Sequence, residues 1–298
     1  MKKILLTGGN GFIGKNILES FLAQKYEIIA PRSFELNLID TDCVDEYFRG
    51  KCKGKEFDVV LHSATKPGHR NAKDASNLFY SNVRIFENLE RHKDKYGKFI
   101  NFGSGAIYDT TKNITNVKEV QRFDNIGEKE HDFCKYVVSK QIENLDNFVD
   151  LNIFGIFGKY EDYSIRFISN AICKALFDLP ITLRQNRRFS YLYVEDLVPI
   201  LEFFIENDVK YKSYNIVPDE KTELLELAQI VKKISVKDIE IKVANEGFGI
   251  DYTGDNSRLK SEATQIKFTK LEKSISALYN YYNANINILD KKLLLEDK

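Results

Sequence analysis

The sequence predicts an α/β protein in which a doubly wound parallel sheet is followed by a smaller C-terminal α+β region. Through the first half, short apolar runs alternate with segments whose apolar residues recur at helical spacing. A glycine-rich turn joins the first apolar run to the first helical segment. Repeated strand–helix–strand units favour parallel strands with crossover helices. Ligands of such sheets bind beyond the carboxyl ends of the strands, so those loops are the first place to look for function.

The individual elements follow from the same patterns. We expect buried strands over 2–8, 26–31, 57–64, 98–104 and 150–156. After about Gly158 helical segments mix with short strands. Predicted helices there cover 163–177, 195–206, 222–234 and 270–283, and predicted strands cover 190–194 and 239–243. The tail over 285–298 is helix-prone.

Composition excludes several classes of function. The chain has 298 residues, 43% of them hydrophobic, so it can bury a large core. Lys+Arg and Asp+Glu are both 44, a balance that argues against nucleic acid or an anionic membrane as partner. No apolar stretch is long enough to span a bilayer, and we expect a cytoplasmic protein. Four cysteines without metal-ligand spacing predict reduced thiols and no metal site: Cys43, Cys52, Cys134 and Cys173.

The stretch TGGNGFIG follows the first predicted strand and opens a predicted helix. That context is typical of a dinucleotide-binding turn in a Rossmann-type sheet. Glycines there permit the tight turn, the approach of a pyrophosphate and close helix packing, and the helix N-terminus offers free N–H donors. The expected cofactor contacts are Gly8, Gly11, Phe12, Ile13 and Gly14.

These motifs divide the chain by role. We assign residues 1–158 to a dinucleotide-binding Rossmann domain. Residues 159–298 form mostly a substrate-binding region, from which some chain returns to the Rossmann sheet.

The second predicted strand bears on the choice of dinucleotide. An acidic residue at its end suits the ribose of NAD, whereas a basic one suits the extra phosphate of NADP. Here Arg32 and Ser33 stand at that position, so NADP(H) is favoured and NAD(H) stays possible. Ala64, at the end of the third predicted strand, is a further expected cofactor contact.

Three residues are candidates for proton transfer. Ser104 lies at the carboxyl edge of the fourth predicted strand, and KYVVSK later supplies Tyr136 and Lys140. Residues four apart share a helix face, so Lys140 can favour the Tyr136 phenolate and also hold the cofactor ribose. Ser104 can bind the substrate oxygen while Tyr136 moves its proton, which is acid–base catalysis beside a hydride carrier.

With these motifs in place, the chain resembles the extended short-chain dehydrogenases/reductases of the nucleotide-sugar epimerase/dehydratase family. The resemblance runs from residue 3 to about 284, and the nearest local likeness is to GDP-L-fucose synthase-type 4-ketoreductases, through FELNLID and HSATKPG. RRFSYLYVEDL resembles the family segment whose arginine meets the substrate phosphates. The resemblance implies a nucleotide-sugar substrate and a homodimer. Expected substrate contacts are Lys66, Ser104, Gly105, Arg184 and Arg188, with Arg187 an alternative to Arg188.

Residues that are missing from the motifs exclude some of the family's reactions. Gly105 and Ala106 stand where the family's dehydratases carry an acidic pair, so elimination of water has no acid here. Ala106 also stands where GDP-L-fucose synthase has the cysteine that it uses for epimerisation, so the acid–base pair for that step is missing too. The remaining set suffices for an NADPH-dependent 4-ketoreductase of a nucleotide-activated sugar. Two alternatives stay open: an NAD-dependent nucleotide-sugar C4 epimerase, and an NADP-binding regulator without catalysis.

Overall fold

The computed structural model describes residues 1–49, 56–69 and 71–295. In chain order the strands are β1 (Lys3–Thr7), β2 (Glu27–Ile29), β3 (Phe57–His62), β4 (Tyr96–Ser104), β5 (Ile114–Val117), β6 (Phe148–Ile153), β7 (Gly155–Phe157), β8 (Ile181–Asn186), β9 (Arg188–Phe189), β10 (Tyr191–Tyr193), β11 (Ser213–Ile216), β12 (Thr222–Glu223), β13 (Ile241–Phe248) and β14 (Tyr252–Gly254). The α-helices are α1 (Phe12–Leu18), α2 (Leu22–Lys25), α3 (Thr41–Arg49), α4 (Leu78–Glu90), α5 (Glu130–Ile142), α6 (Phe167–Leu176), α7 (Val194–Glu206), α8 (Leu224–Ser235), α9 (Ser257–Glu262) and α10 (Leu271–Ala284).

A six-stranded parallel sheet forms the centre, in the spatial order β11–β6–β4–β3–β1–β2. Strand β1 pairs with β2 on one side and with β3 on the other, Leu5 lying opposite both Ile29 and Val60. The strand order therefore reverses beside β1, and a crevice opens beyond the carboxyl ends of β1 and β3.

Both faces of this sheet are covered, because successive residues of a strand point to opposite sides. Leu6 and Leu61 join a core cluster with residues of α1, α2 and α7. Leu5 and Val60 join a second cluster with residues of α3, α4 and α5. The near-continuous apolar strands reflect this two-sided burial. The predicted doubly wound α/β class is confirmed.

The later part of the chain forms a smaller helical layer with short sheets. Helices α6, α8 and α10 pack on one another around a separate core cluster that includes Ile172, Val231 and Leu278. Strands β8 and β13 pair in parallel, and β12, β9, β14 and β5 form a four-stranded sheet. Helix α7 and strand β11 return to the central sheet, so the later chain also completes the first layer.

Several boundaries differ from the predicted ones. The apolar run 150–156 is two strands, β6 and β7, separated at Phe154. The tail forms short 3₁₀ turns over Ile286–Ile288 and Lys291–Leu294 rather than a continuous helix, and residues 296–298 lie outside the described residues. Cys52 also lies outside them, and the other three cysteines are free. No helix of the described chain is long and apolar enough to cross a membrane.

Candidate active site

One large cleft lies at the carboxyl edge of the central sheet. It has a volume of about 1770 Å³ and extends from the glycine-rich loop past Ser104 to β14. Pockets for a single small ligand commonly measure about 300–1,000 Å³. The cleft is therefore large enough for a dinucleotide and a second ligand side by side.

The glycine-rich loop lines one end of this cleft. Gly8 has a φ of +76°, and a Cβ there would lie 2.7 Å from the backbone nitrogen of Ala64. Gly14 does not line the cleft; a Cβ there would lie 2.2 Å from the Gly8 carbonyl oxygen. Gly14 therefore lets α1 pack on the loop, while Gly11, which begins the helix, carries no side-chain cap. Phe12 and Ile13 line the cleft as predicted.

The loop after β2 forms the wall beside the glycines. Arg32 and Ser33 are exposed and line the cleft, as does Ala64 after β3. The Glu35 carboxylate accepts a hydrogen bond of 2.8 Å from the Arg32 backbone N–H, so that acid holds the loop itself. The Arg32 guanidinium is thus the charge that the loop presents at the cleft.

These features fit a bound dinucleotide. The loop glycines leave a surface that any side chain would fill, and the uncapped start of α1 points its N–H groups at the same place. Gly8, Gly11, Phe12 and Ile13 would hold the pyrophosphate, and Arg32 with Ser33 would lie near one ribose. A nicotinamide dinucleotide would bring hydride chemistry to the centre of the cleft.

Ser104 lies at that centre. It ends β4 and caps a 3₁₀ turn over Gly105–Tyr108, its hydroxyl accepting a hydrogen bond of 3.1 Å from the Ala106 N–H. Gly105 does not line the cleft, because it lies against the Phe154 ring, where a Cβ would be 2.7 Å from ring carbon. Ser104 lies at the end of β4, as predicted, whereas a substrate contact of Gly105 stays a prediction.

Tyr136 and Lys140 do not line the cleft. The Tyr136 ring packs edge-to-face on Phe123, with ring centroids 5.4 Å apart. The Lys140 ammonium lies 4.0 Å from the centroid of the same Phe123 ring. The structure therefore places both side chains against Phe123 and not among the residues that line the cleft. Their action beside Ser104 and the cofactor stays a prediction.

Another pair on α5 faces the cleft instead. His131 and Lys135, also four residues apart, both line it. The Lys135 ammonium donates a hydrogen bond of 3.3 Å to the Phe102 carbonyl oxygen, two residues before Ser104. Burial, followed by the Lys135 charge, lowers the pKa of His131 to about 4. At neutral pH the site therefore contains a neutral imidazole beside an ammonium.

The face of α5 that meets the sheet could have been identified from the spacing of its apolar residues. Val138 and Ile142 are buried against the sheet, and residues three, four and seven positions earlier share their face. This places Lys135 and His131 above the sheet edge. Sequence reasoning missed them because a tyrosine four residues before a lysine matches the family motif, whereas a histidine at the same spacing does not.

Tyr252 is a further side chain that sequence reasoning missed. It begins β14, which pairs with β5 and β9 and carries the ring to the cleft. Burial raises the pKa of its phenol, while a hydrogen bond with the Ser104 side chain acts to lower it. The ring is held by Phe154, with centroids 5.0 Å apart. Pairings between segments so distant in the chain leave no local signal in the sequence.

Arginines line the far end of the cleft. Arg184 and Arg187 both lie there, but Arg188 does not. Arg188 is exposed, and its Nε lies 3.3 Å from the Asp251 carboxylate. Neighbouring residues of an extended segment point to opposite sides, so Arg187 and Arg188 face different surroundings. The Nε of Arg187 is buried without a hydrogen-bond partner, and its guanidinium lies 4.6 Å from the Phe189 ring centroid. This placement favours Arg187 as the candidate substrate contact, whereas the sequence favoured Arg188.

Lys66 also lines the cleft, as predicted, but its ammonium is engaged elsewhere. It donates hydrogen bonds of 2.7 Å each to the Asp74 carboxylate and the Ser76 carbonyl oxygen. A substrate phosphate would have to compete with these partners. Lys66 therefore supports the loop after β3 more directly than it offers a free charge.

Comparison with known proteins extends over most of the chain. GDP-L-colitose synthase of Yersinia pseudotuberculosis is 24% identical over 257 residues, which are 78% of this chain and 82% of that protein. GDP-L-fucose synthase of Azorhizobium caulinodans is 32% identical over 111 residues, 36% of this chain and 34% of that protein. Among solved structures, the GDP-mannoheptose C4 reductase of Campylobacter jejuni, with NADP bound, superposes with a TM-score of 0.79 at 20% identity, covering 94% of this chain and 98% of that one.

The model of one protein family matches residues 4–217, which is more than half of the chain and includes the glycine-rich loop, Ser104 and helix α5. The chain belongs to the NAD dependent epimerase/dehydratase family.

Proposed function

We propose that this protein is a reductase that uses NADPH to reduce the keto group of a nucleotide-activated 4-keto sugar. The observation that carries the proposal is that three groups of residues line one cleft. They are the glycine-rich loop that forms the dinucleotide cradle, Ser104 with Lys135 and His131, and Arg184 with Arg187. When bound, the reduced nicotinamide would supply the hydride.

Each group of side chains has a role in this reaction. Ser104 donates a hydrogen bond to the keto oxygen and so orients the carbonyl carbon. The Lys135 ammonium, held at the Phe102 carbonyl, supplies positive charge beside that oxygen and hydrogen bonds for the cofactor ribose. His131, neutral at physiological pH, forms the adjoining wall without adding a second positive charge.

The arginines support a nucleoside diphosphate as the activating group. A guanidinium donates paired hydrogen bonds that match phosphate oxygens, and the buried Nε of Arg187 has no hydrogen-bond partner among the residues that the structure describes. Both relatives named above, and the superposed reductase, carry GDP-linked sugars in their names. These names support guanosine as the base of the proposed substrate.

The loop after β2 supports NADPH over NADH. Arg32 presents a cation at the cleft, and Glu35, the nearby acid, is bound to the Arg32 backbone. A cation suits the extra phosphate of NADPH, whereas a carboxylate would repel it. A reductase that consumes NADPH in each turnover is consistent with this loop.

The proposal is tested by supplying 4-keto sugars linked to GDP, UDP or dTDP together with NADPH. We expect loss of reduced nicotinamide absorbance with a GDP-linked sugar and formation of one reduced sugar nucleotide per NADPH consumed. S104A should abolish this turnover, and V236A, a substitution at an exposed residue remote from the cleft, is the control. Tightly held NAD released on denaturation, together with sugar isomerisation and no net NADPH loss, would favour the C4 epimerase instead.

Two further expectations accompany this function. We propose that the enzyme works in the cytoplasm as a homodimer, and light scattering on the purified protein measures its mass directly. The assignment of 1–158 to cofactor and 159–298 mostly to substrate stays a prediction. Arg184, Arg187 and Tyr252 of the later segment at the substrate end of the cleft support it.

A further inference from the structure

The side chain that shares a face with Lys135 on α5 is a histidine. With a pKa of about 4, His131 is unprotonated at neutral pH, so it has no imidazolium proton to give. Loss of a proton from the neutral ring would create an imidazolide, a far stronger base than a phenolate. A reduction at this site therefore needs its acid from elsewhere.

Tyr252 is placed to be that acid. It lines the cleft that Ser104 also lines, and its ring is fixed by Phe154 and Phe189 at centroid distances of 5.0 and 5.7 Å. The Ser104 side chain acts on the pKa of the Tyr252 phenol, so the two groups lie near each other. Ser104 in turn is fixed by the Ala106 N–H at 3.1 Å. A phenol hydroxyl and a serine hydroxyl thus converge on one point of the cleft.

The other phenol and the thiol that line the cleft are less well placed. Tyr191 also lines it, but its ring stacks on Phe189 and lies edge-on to Phe157, and Ser104 is not among the groups that shift its pKa. Burial raises the pKa of the Cys134 thiol, and that residue lies on the buried side of α5. Tyr136 is outside the cleft. Tyr252 is therefore the phenol that the fold brings to Ser104.

We propose that Tyr252 is the catalytic acid of the reduction, an inference that rests on the proposed function. Hydride from the reduced nicotinamide dinucleotide forms a bond to the carbonyl carbon, and the C=O π electrons take the proton of the Tyr252 hydroxyl. The products are a sugar alcohol and an oxidised dinucleotide. The Tyr252 phenolate, stabilised by the hydrogen bond from Ser104 and by the Arg166 and Arg187 charges, then takes a proton from water.

The test compares Y252F with Y136F, since both remove one phenol hydroxyl and only Tyr252 lines the cleft. We expect kcat of Y252F to fall by about 100-fold or more, the usual contribution of a positioned acid, while NADPH affinity measured by fluorescence stays near the wild-type value. Y136F should keep its kcat. A Y252F enzyme with wild-type kcat overturns the proposal, as does an equal loss in Y136F.

Two measurements do not depend on Y252F being active. With 3-fluorotyrosine incorporated, the fluorine resonance missing from Y252F should shift in S104A, whereas the resonance missing from Y136F should not; an unshifted Tyr252 resonance overturns the proposal. In the wild-type chain, burial raises the pKa of this phenol, so kcat should hold its value as the pH rises through the ordinary tyrosine pKa of about 10, and a fall of kcat at that pH overturns the proposal. If the wild type consumes NADPH with none of the keto sugars, the proposed function fails instead.

Discussion

The Lys135 ammonium donates a hydrogen bond of 3.3 Å to the backbone carbonyl oxygen of Phe102. This contact ties the first half of α5 to the last residues of β4, where Ser104 lies. Lys135 and Ser104 are therefore held by neighbouring points of one strand end. The face of α5 that carries Lys135 and His131 is the catalytic one in our account, and the face that carries Tyr136 and Lys140 is not.

Replacing Lys135 tests which face of α5 serves the reaction. In K135M, loss of the cation beside the keto oxygen should lower kcat by about 100-fold, as removal of a preorganised donor usually does. K140M is the matched control, because Lys140 lies over Phe123 outside the cleft. It should keep its kcat and lose only about 0.5–1 kcal/mol of stability with the cation–π contact. Steady-state kinetics measure kcat of the two variants, and urea unfolding measures their stability. A larger kcat loss in K140M than in K135M would contradict the assignment of the catalytic face to Lys135.

Arg187 and Arg188 form a second matched pair. R187A should raise the KM for the nucleotide sugar by about 10-fold to 100-fold, since a charge-assisted hydrogen bond contributes about 1.5–3 kcal/mol. R188A removes the pair with Asp251 and the contact with the Phe248 ring, both outside the cleft lining, and should leave KM near the wild-type value. Initial rates at varied substrate concentration separate the two. If R188A raised KM and R187A did not, the assignment of the arginines would have to be reversed.

Arg32 tests the choice of dinucleotide. R32A should weaken NADPH binding by about 10-fold through loss of a charge-assisted contact, and leave NADH binding close to its wild-type strength. Fluorescence titration of the protein with each reduced dinucleotide measures both constants. Equal weakening of NADPH and NADH, or a wild-type protein that binds NADH more tightly, would refute the NADPH preference.

Glu161 predicts a pH dependence of stability. Its carboxyl is 6% exposed and accepts a hydrogen bond from Ser169, and burial raises its pKa to about 8. The folded state therefore keeps a proton that the unfolded state loses above an ordinary pKa of 4.5. The contribution of Glu161 to the free energy of unfolding is fully present below pH 4.5. It is lost as the pH rises toward 8, by at most about 1.4 kcal/mol per pH unit.

The variant E161Q mimics the protonated form and should remove this dependence. Its free energy of unfolding relative to wild type should therefore increase from pH 5 to pH 8. E128Q, at an exposed position, is the control and should follow the wild type. Urea unfolding at several pH values measures the difference, and parallel curves for E161Q and wild type would show that Glu161 is ionised in the folded protein.

Much of the fold could be predicted because its signals are local. The apolar runs at β1, β3 and β4 are buried on both faces and therefore read as continuous strands. Close approaches of backbone atoms require glycine at positions 8 and 14, so the glycine-rich loop can be recognised from the sequence alone. The family resemblance read from these motifs is confirmed by the match over residues 4–217.

The site was less predictable because it depends on orientation and on distant pairings. The sequence motif selected Tyr136 and Lys140, but the buried positions Val138 and Ile142 set which face of α5 meets the sheet. Adjacent arginines of one segment point to opposite sides, which a linear match cannot resolve. Tyr252 reaches Ser104 only through the pairing of β14 with β5 and β9.

The most direct test of the central claim follows the hydride itself. NADPH carrying deuterium at the transferable position of its nicotinamide is mixed with a GDP-linked 4-keto sugar, and the product is analysed by mass spectrometry and NMR. If the protein is the proposed 4-ketoreductase, we expect one deuterium at C4 of the product for each NADPH oxidised. An isomerised sugar without deuterium, formed while NADPH stays reduced, would contradict it.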